Sequence, residues 1–189
     1  MSAAVSPAQV AADRKSSRTA GTLGRRVVVA AIVAACAGPA RALDSITAEG
    51  IVDAPVAAVW NAWTTGEGLA SWLAPQADIE LRVDGRMRVT ADARGSLDGP
   101  AAIENRVLSF EPQRMLSIRV SRAPSDFPFR SRVGEMWTVL SFAATADGRT
   151  LLRIVGLGFA ADEEAQRMRR FFEAGNAHTL LQLQKRFRP

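Results

Sequence analysis

Residues 50–75, GIVDAPVAAVWNAWTTGEGLASWLAP, decide how this chain folds. The stretch begins as the end of a strand. Asp53-Ala54-Pro55 stops the extended pattern: proline suits the first turn of a helix, and an aspartate beside it can accept from backbone N–H groups that have no intrahelical partner. Val56, Val59, Trp60 and Trp63 follow at helical spacing and form one apolar stripe. Thr64-Thr65-Gly66-Glu67 reads as a capping box that restarts a second helix, with Leu69, Trp72 and Leu73 on its buried side. Pro75 ends it. Two short helices thus meet at a sharp corner and aim three tryptophans at one core.

Upstream of this stretch the composition changes. The first 45 residues hold no aromatic residue, and Trp60 is the first in the chain. Arg25-Arg26 lead into an apolar run, VVVAAIVAACA at 27–37, which Gly38-Pro39 break before Ala40-Arg41-Ala42. A basic segment, an apolar run of roughly 7–15 residues and a small-x-small site make a secretory signal peptide. A membrane-spanning helix needs ~20 apolar residues, so the run is not read as an anchor. The expectation is cleavage after Ala42, leaving residues 43–189 as one domain that is periplasmic or secreted, with no transmembrane anchor. Two variants accompany it. Val33-Ala34-Ala35-Cys36 resembles a loose lipobox that would lipidate Cys36, although a small apolar cysteine inside a discarded signal is the favoured reading. Arg25-Arg26 followed by valines also resembles a twin-arginine signal.

Removing that leader changes the charge argument. It holds six of the 24 Lys+Arg and one of the 19 Asp+Glu, so 18 of each remain and the domain is neutral. The basic character therefore belongs to the leader and gives no reason to expect a nucleic-acid partner. A domain of this size buries roughly two-thirds of its unfolded surface without staples. It has no cysteine, which excludes disulfides, a thiol nucleophile and cysteine metal sites.

Downstream of residue 75 the period changes from 3.6 to 2. Ile79, Leu81 and Val83 alternate with polar residues up to Asp84-Gly85, a two-residue hairpin signal, and Met87, Val89 and Ala91 alternate on the way back. Residues 103–110 and 116–120 make the next pair around Glu111-Pro112-Gln113-Arg114. APSDFPFRSR at 123–132 is a longer loop. Residues 135–144 form a strand apolar on both faces, and Asp147-Gly148 turns it into 151–157. Asp162-Glu163-Glu164 open a long terminal helix that Lys185, Arg186 and Arg188 close, a polarity that suits the helix dipole. Strand, two helices, six strands and a helix make an α+β fold: a curved antiparallel sheet wrapped around a long C-terminal helix.

The phrase APVAAVWNAWTTGEGLASWLAP at 54–75 resembles the opening of the helix-grip superfamily, which includes START domains, the birch-pollen allergen type and polyketide cyclases. Within it the chain is most similar to the Hsp ATPase activator homologues. VLSFEPQRML at 107–116, DGRTLL at 147–152 and Gly175 with Leu180 and Leu183 resemble further segments of that branch. The resemblance implies a cavity between the concave sheet and the terminal helix that takes an apolar or amphipathic small molecule: a lipid, polyketide or aromatic metabolite. It equally admits a cavity enzyme of the cyclase or hydratase sort, or a chaperone-like interaction module. Asn176 stands where the branch often has tryptophan, a change that would enlarge or polarise the cavity.

Candidate cavity residues follow from this placement. Asn105 shares strand parity with Ile103 and Val107. Phe127 and Phe129 form either a lid over the cavity mouth or a small satellite core. Glu135, beside Arg132, sits at a strand entrance. Trp137 belongs to a strand, with core the favoured reading. Phe172, Asn176, His178 and Thr179 lie on the terminal helix. His178, the only histidine, has no assignable carboxylate partner, so no catalytic residue is named and the question of an enzyme stays open. No cofactor or metal site is expected. Gly156-Leu157-Gly158-Phe159-Ala160-Ala161 matches G-x-G-x-x-A, but no strand follows the helix, so it reads as a glycine-rich approach to that helix instead of a dinucleotide fingerprint.

Overall fold

In a computed structural model, residues 45–188 are described. The leader, with the expected cleavage at Ala42 and the alternative lipidation at Cys36, lies outside the described residues. Strand β1 (Ile46–Val52) is followed by helices α1 (Val56–Thr64) and α2 (Gly66–Ala70). Six strands come next: β2 (Gln76–Ile79), β3 (Arg86–Thr90), β4 (Ile103–Glu111), β5 (Met115–Arg122), β6 (Trp137–Ala144) and β7 (Thr150–Leu157). Helix α3 (Glu163–Arg186) closes the domain.

The seven strands form one antiparallel sheet in the order β1-β7-β6-β5-β4-β3-β2. Strands β2 to β7 run as a meander, and β1 joins its last member. Register shifts at Glu104/Asn105 and Val107/Ser109 bend β4, as bulges do. Helix α3 lies against β1 and β7, giving the expected curved sheet and long terminal helix.

One face of the sheet and the helices share the main core. Val107, Leu116, Ile118, Leu140, Phe142, Leu152 and Ile154 meet Trp60, Trp63, Leu69, Leu180 and Leu183 there. Trp60 packs edge-on against Phe142 at 5.3 Å, and Trp63 against Trp72 at 4.9 Å. Losing an aromatic ring from such a site costs about 3–5 kcal/mol, because the hole left behind does not fully collapse. A second, smaller core of Ile46, Met136, Phe159 and Met168 sits under the first half of α3, with Phe129 and Phe172 against it.

Several local details differ from the sequence pattern. Asp53 does not cap α1: Pro55 occupies the cap position without a side-chain bond, and Asp53 pairs with Arg149 at 3.1 Å. The capping box of α2 is only half made. Thr65 accepts from Gly68 N–H at 2.9 Å, so glycine holds the position from which a glutamate would reach back. Gly68 is required at this corner, since a Cβ there would stand 2.1 Å from the Asn61 carbonyl oxygen.

Nor do Asp84-Gly85 make a two-residue hairpin. Strand β2 stops at Ile79, and residues 80–85 swing out to meet β4, with Asp84 N–H donating to Val107 O at 2.8 Å and Val107 N–H to Gly85 O at 2.9 Å. Asp84 supplies the left-handed conformation with φ 61°, and Val83 ends up 63 % exposed. Strand β6 begins at Trp137, after a 3₁₀ turn at Val133–Glu135 that the loop reading of this region did not contain. At Gly158, φ is +89° and a Cβ would lie 2.6 Å from Glu135 O and 2.7 Å from the Trp137 ring. The glycine pair thus lets the end of β7 pack closely on Ile46 of β1 and on the start of β6, just before the chain enters α3.

Candidate functional site

Helix α3 presents Ala165, Met168, Phe172, Asn176, Thr179, Leu180 and Leu183 along one side, and five of these are buried. Asn176 is the polar exception in that buried set, at 9 % exposure, and its Nδ2 makes no hydrogen bond. A buried amide donor left without an acceptor costs about 1–3 kcal/mol. An acceptor arriving from outside, such as a carbonyl or hydroxyl oxygen, would remove that cost. Trp63 Nε1, buried on α1, is a second donor without a partner.

A groove of about 650 Å³ opens where β5 runs into residues 123–134. Val120 and Val133 are apolar lining, Phe127 and Pro128 form an aromatic and aliphatic wall, and Arg122, Arg130, Ser121 and Ser131 are the polar lining. Val120 pairs in register with Asn105, which pairs in turn with Met87. Met87 belongs to the main core, so Val120 and Asn105 are on the inner face of the sheet. Phe127 links the groove to the helix: its ring lies 5.5 Å from Phe171 and 6.2 Å from both Phe129 and Phe172. Phe129 lies 5.6 Å from Phe171. These edge contacts fasten the loop to α3, while Phe129 and Phe172 also reach the second core.

Electrostatics hold the same loop in place. Arg132 donates to Asp162 at 2.5 Å and to Glu135 at 2.9 Å, with Glu164 at 3.7 Å. Asp162 is also the N-cap of α3 and accepts from Ala165 N–H at 3.0 Å. The Arg132 hydrogen bond and then the Ala165 N–H hold the Asp162 carboxyl down at about 2, against a burial contribution of opposite sign. The same carboxylates raise Arg132 well above the ordinary arginine range.

This geometry sorts the remaining candidates. Glu135 is engaged by Arg132 and is not offered to a ligand. Trp137 is on the wrong face: Leu140 and Phe142 point into the core, Trp137 has the opposite parity, and the Arg119 guanidinium sits 6.0 Å from its ring on the outer side. The strand is apolar on both faces, so pattern alone did not reveal which parity is inward. His178 is exposed, with only Gln182 beside it at 3.2 Å, and does not line the inner space. Thr179 is half-buried next to Asn176 on the inner stripe. Asn105, Phe127, Phe129, Phe172 and Asn176 thus fall on the inner face or at its mouth. Val120, Arg122, Arg130 and Ser131 were not marked by any motif; strand parity with Ile118 would have placed Val120.

A second depression of about 450 Å³ lies between α1, α2 and the end of α3, lined by Asn61, Thr65, Ser71, Arg186 and Phe187 among others. Three of its polar side chains, those of Thr65, Ser71 and Arg186, already bond to the protein. Thr65 Oγ1 donates to Asn61 O at 2.9 Å, and Ser71 Oγ donates to Gly68 O at 2.6 Å while accepting from Arg186 at 3.2 Å. Among the described residues, no group of three or more His, Cys, Asp or Glu is placed to hold a metal ion, and no helix is long and apolar enough to cross a membrane.

The family model for activator of Hsp90 ATPase homolog 1-like proteins matches residues 53–188, nearly the whole described domain. The chain belongs to this family. Solved structures agree on the fold. A Mesorhizobium loti protein shares 21 % identity at a TM-score of 0.58, covering 75 % of this chain and 95 % of its own. The Aha1 dimer from Colwellia psychrerythraea gives 15 % and 0.55, with 76 % and 95 % covered. CalU16 from Micromonospora echinospora gives 22 % and 0.54, with 77 % and 76 % covered. No curated protein matches the chain significantly. At these identities the likeness establishes the helix-grip architecture of the family and leaves the ligand to be argued from the site.

Proposed function

We propose that this chain is an exported single-domain binding protein that holds an apolar or amphipathic small molecule between the inner face of its sheet and α3. Asn176 carries the reading: a 9 %-exposed amide one helical turn from both Phe172 and Leu180, with a donor that no protein group satisfies. In this reading Nδ2 donates to an acceptor oxygen on the ligand. The ligand's apolar body rests among Phe127, Phe172 and Val120, and it enters by the groove at the end of β5. Export is supported by the basic, apolar and small-x-small succession at residues 25–42. The family's Hsp90-linked description makes a protein-binding module the alternative.

One experiment separates the two. The protein is purified from its native host, its mass is read under native conditions, and any co-purifying molecule is extracted. A stoichiometric lipid, polyketide or aromatic metabolite is the expected result. A bare protein mass, with no thermal shift across a lipid and polyketide panel, would sink the binding reading and favour the interaction module.

A further inference from the structure

We propose that the ligand carries a carboxylate and that Arg130, at the rim of the β5 groove, pairs with it; this rests on the binding reading above. The groove lining holds two arginines and no acidic residue, so its polar part is cationic. The polar groups around it differ in what they still have to offer. The two terminal nitrogens of Arg122 are engaged by three main-chain carbonyls, those of Leu97, Asp98 and Gly99, at 2.8 to 3.3 Å, and its Nε, though without a partner, is buried away from the mouth. Arg132, just beyond the groove, is saturated by Asp162, Glu135 and Glu164. Ser121 donates to Glu104 at 2.9 Å. Arg130 and Ser131 have no side-chain partner among the described residues, and both are exposed at the mouth. Asp126, the nearest carboxylate in sequence, lines a separate depression with Pro100, Ala101, Pro124 and Ser125.

A guanidinium presents paired N–H donors at the spacing of a carboxylate's two oxygens, and a neighbouring serine hydroxyl adds a third donor. Phe127 stands in the same groove and offers a ring face or edge to an apolar body. Head and body are therefore recognised by adjacent residues of one loop. That loop is held to α3 by the Phe127–Phe171 contact at 5.5 Å and by the Arg132 clamp. The preferred ligand is an amphiphile with an acidic end at the mouth, an apolar body against Phe127 and an acceptor oxygen at its inner end, towards Asn176.

The test compares 2-naphthoate with 2-naphthol, probes of one ring system that differ in charge near neutral pH. Binding is measured by calorimetry on the purified protein. Naphthoate should bind about five- to tenfold tighter, the range of a partly exposed charge-assisted bond. In Arg130→Gln the two probes should bind alike. Arg170→Gln, which removes an exposed arginine outside the groove lining, should leave the preference intact. Equal affinities in the unaltered protein, or a preference that survives Arg130→Gln, overturn the carboxylate assignment and leave the binding reading standing. Failure of both probes to bind, together with a bare native mass, overturns both.

Discussion

Asn176 poses the sharpest residue-scale question, because helix α3 would be more stable without it. Between Phe172 and Leu180 on the inner stripe of the helix, its amide gives up hydration and gains no hydrogen bond for Nδ2. Leucine has the same branching and leaves nothing unsatisfied, and although its two methyl groups are bulkier than the amide, any space kept for a ligand beside Asn176 would take them. Asn176→Leu should therefore raise the unfolding free energy of the ligand-free protein by about 1–3 kcal/mol, read by denaturant titration. The same variant should lose affinity for the extracted ligand. Stability gained and binding lost together would mark a side chain kept for function. A variant that unfolds more easily would show that the amide has a structural partner and would end its role as a ligand donor.

At the scale of elements, the 3.6-residue stripes of α1 and α3 and the alternation in β5 were readable, because each is set by neighbours a few positions apart. The inward position of Asn176 was readable too, lying four residues from both Phe172 and Leu180. What local pattern does not contain is the partner across the sheet. Asp84-Gly85 looks like a hairpin turn until Val107 is brought beside it, and Trp137 looks like core until the register with Leu157 puts it on the outer face. Arg132 is the same kind of case: nothing in APSDFPFRSR announces that it will meet the first turn of α3, 30 residues on. Its effect is testable by titration. Asp162 is depressed from 3.8 to about 2 in the fold, so its contribution to stability is complete above 3.8 and disappears as pH falls through 2. By carboxyl carbon NMR, Asp162 should titrate near 2 in the unaltered protein and nearer 3.8 in Arg132→Met. The difference in unfolding midpoint between the two proteins should shrink as pH is lowered over that range. A carboxyl that titrates alike in both would remove Arg132 as the loop's clamp.

Taken whole, the chain divides its charge sharply. Residues 1–42 carry an excess of five basic groups, and the remainder balances 18 against 18. A neutral domain with a strongly basic leader suits transport followed by removal, since the leader's charge is needed only at the membrane. The domain's own ion pairs point the same way: the arginines of the Arg88, Arg132 and Arg149 clusters are each matched by carboxylates, so little net charge remains for a polyanion. The proposed export makes a definite prediction for the full-length chain expressed in a bacterium with a periplasm. After fractionation, intact mass should find the protein outside the cytoplasm and beginning at Leu43. Replacing Arg25 and Arg26 with lysines separates the routes, because a twin-arginine signal should stop working while an ordinary basic segment should tolerate the change. A product that begins at Cys36 and carries acyl mass would replace soluble export with a lipid anchor. A full-length product confined to the cytoplasm would refute export, and with it would go the main objection to a cytoplasmic chaperone as partner.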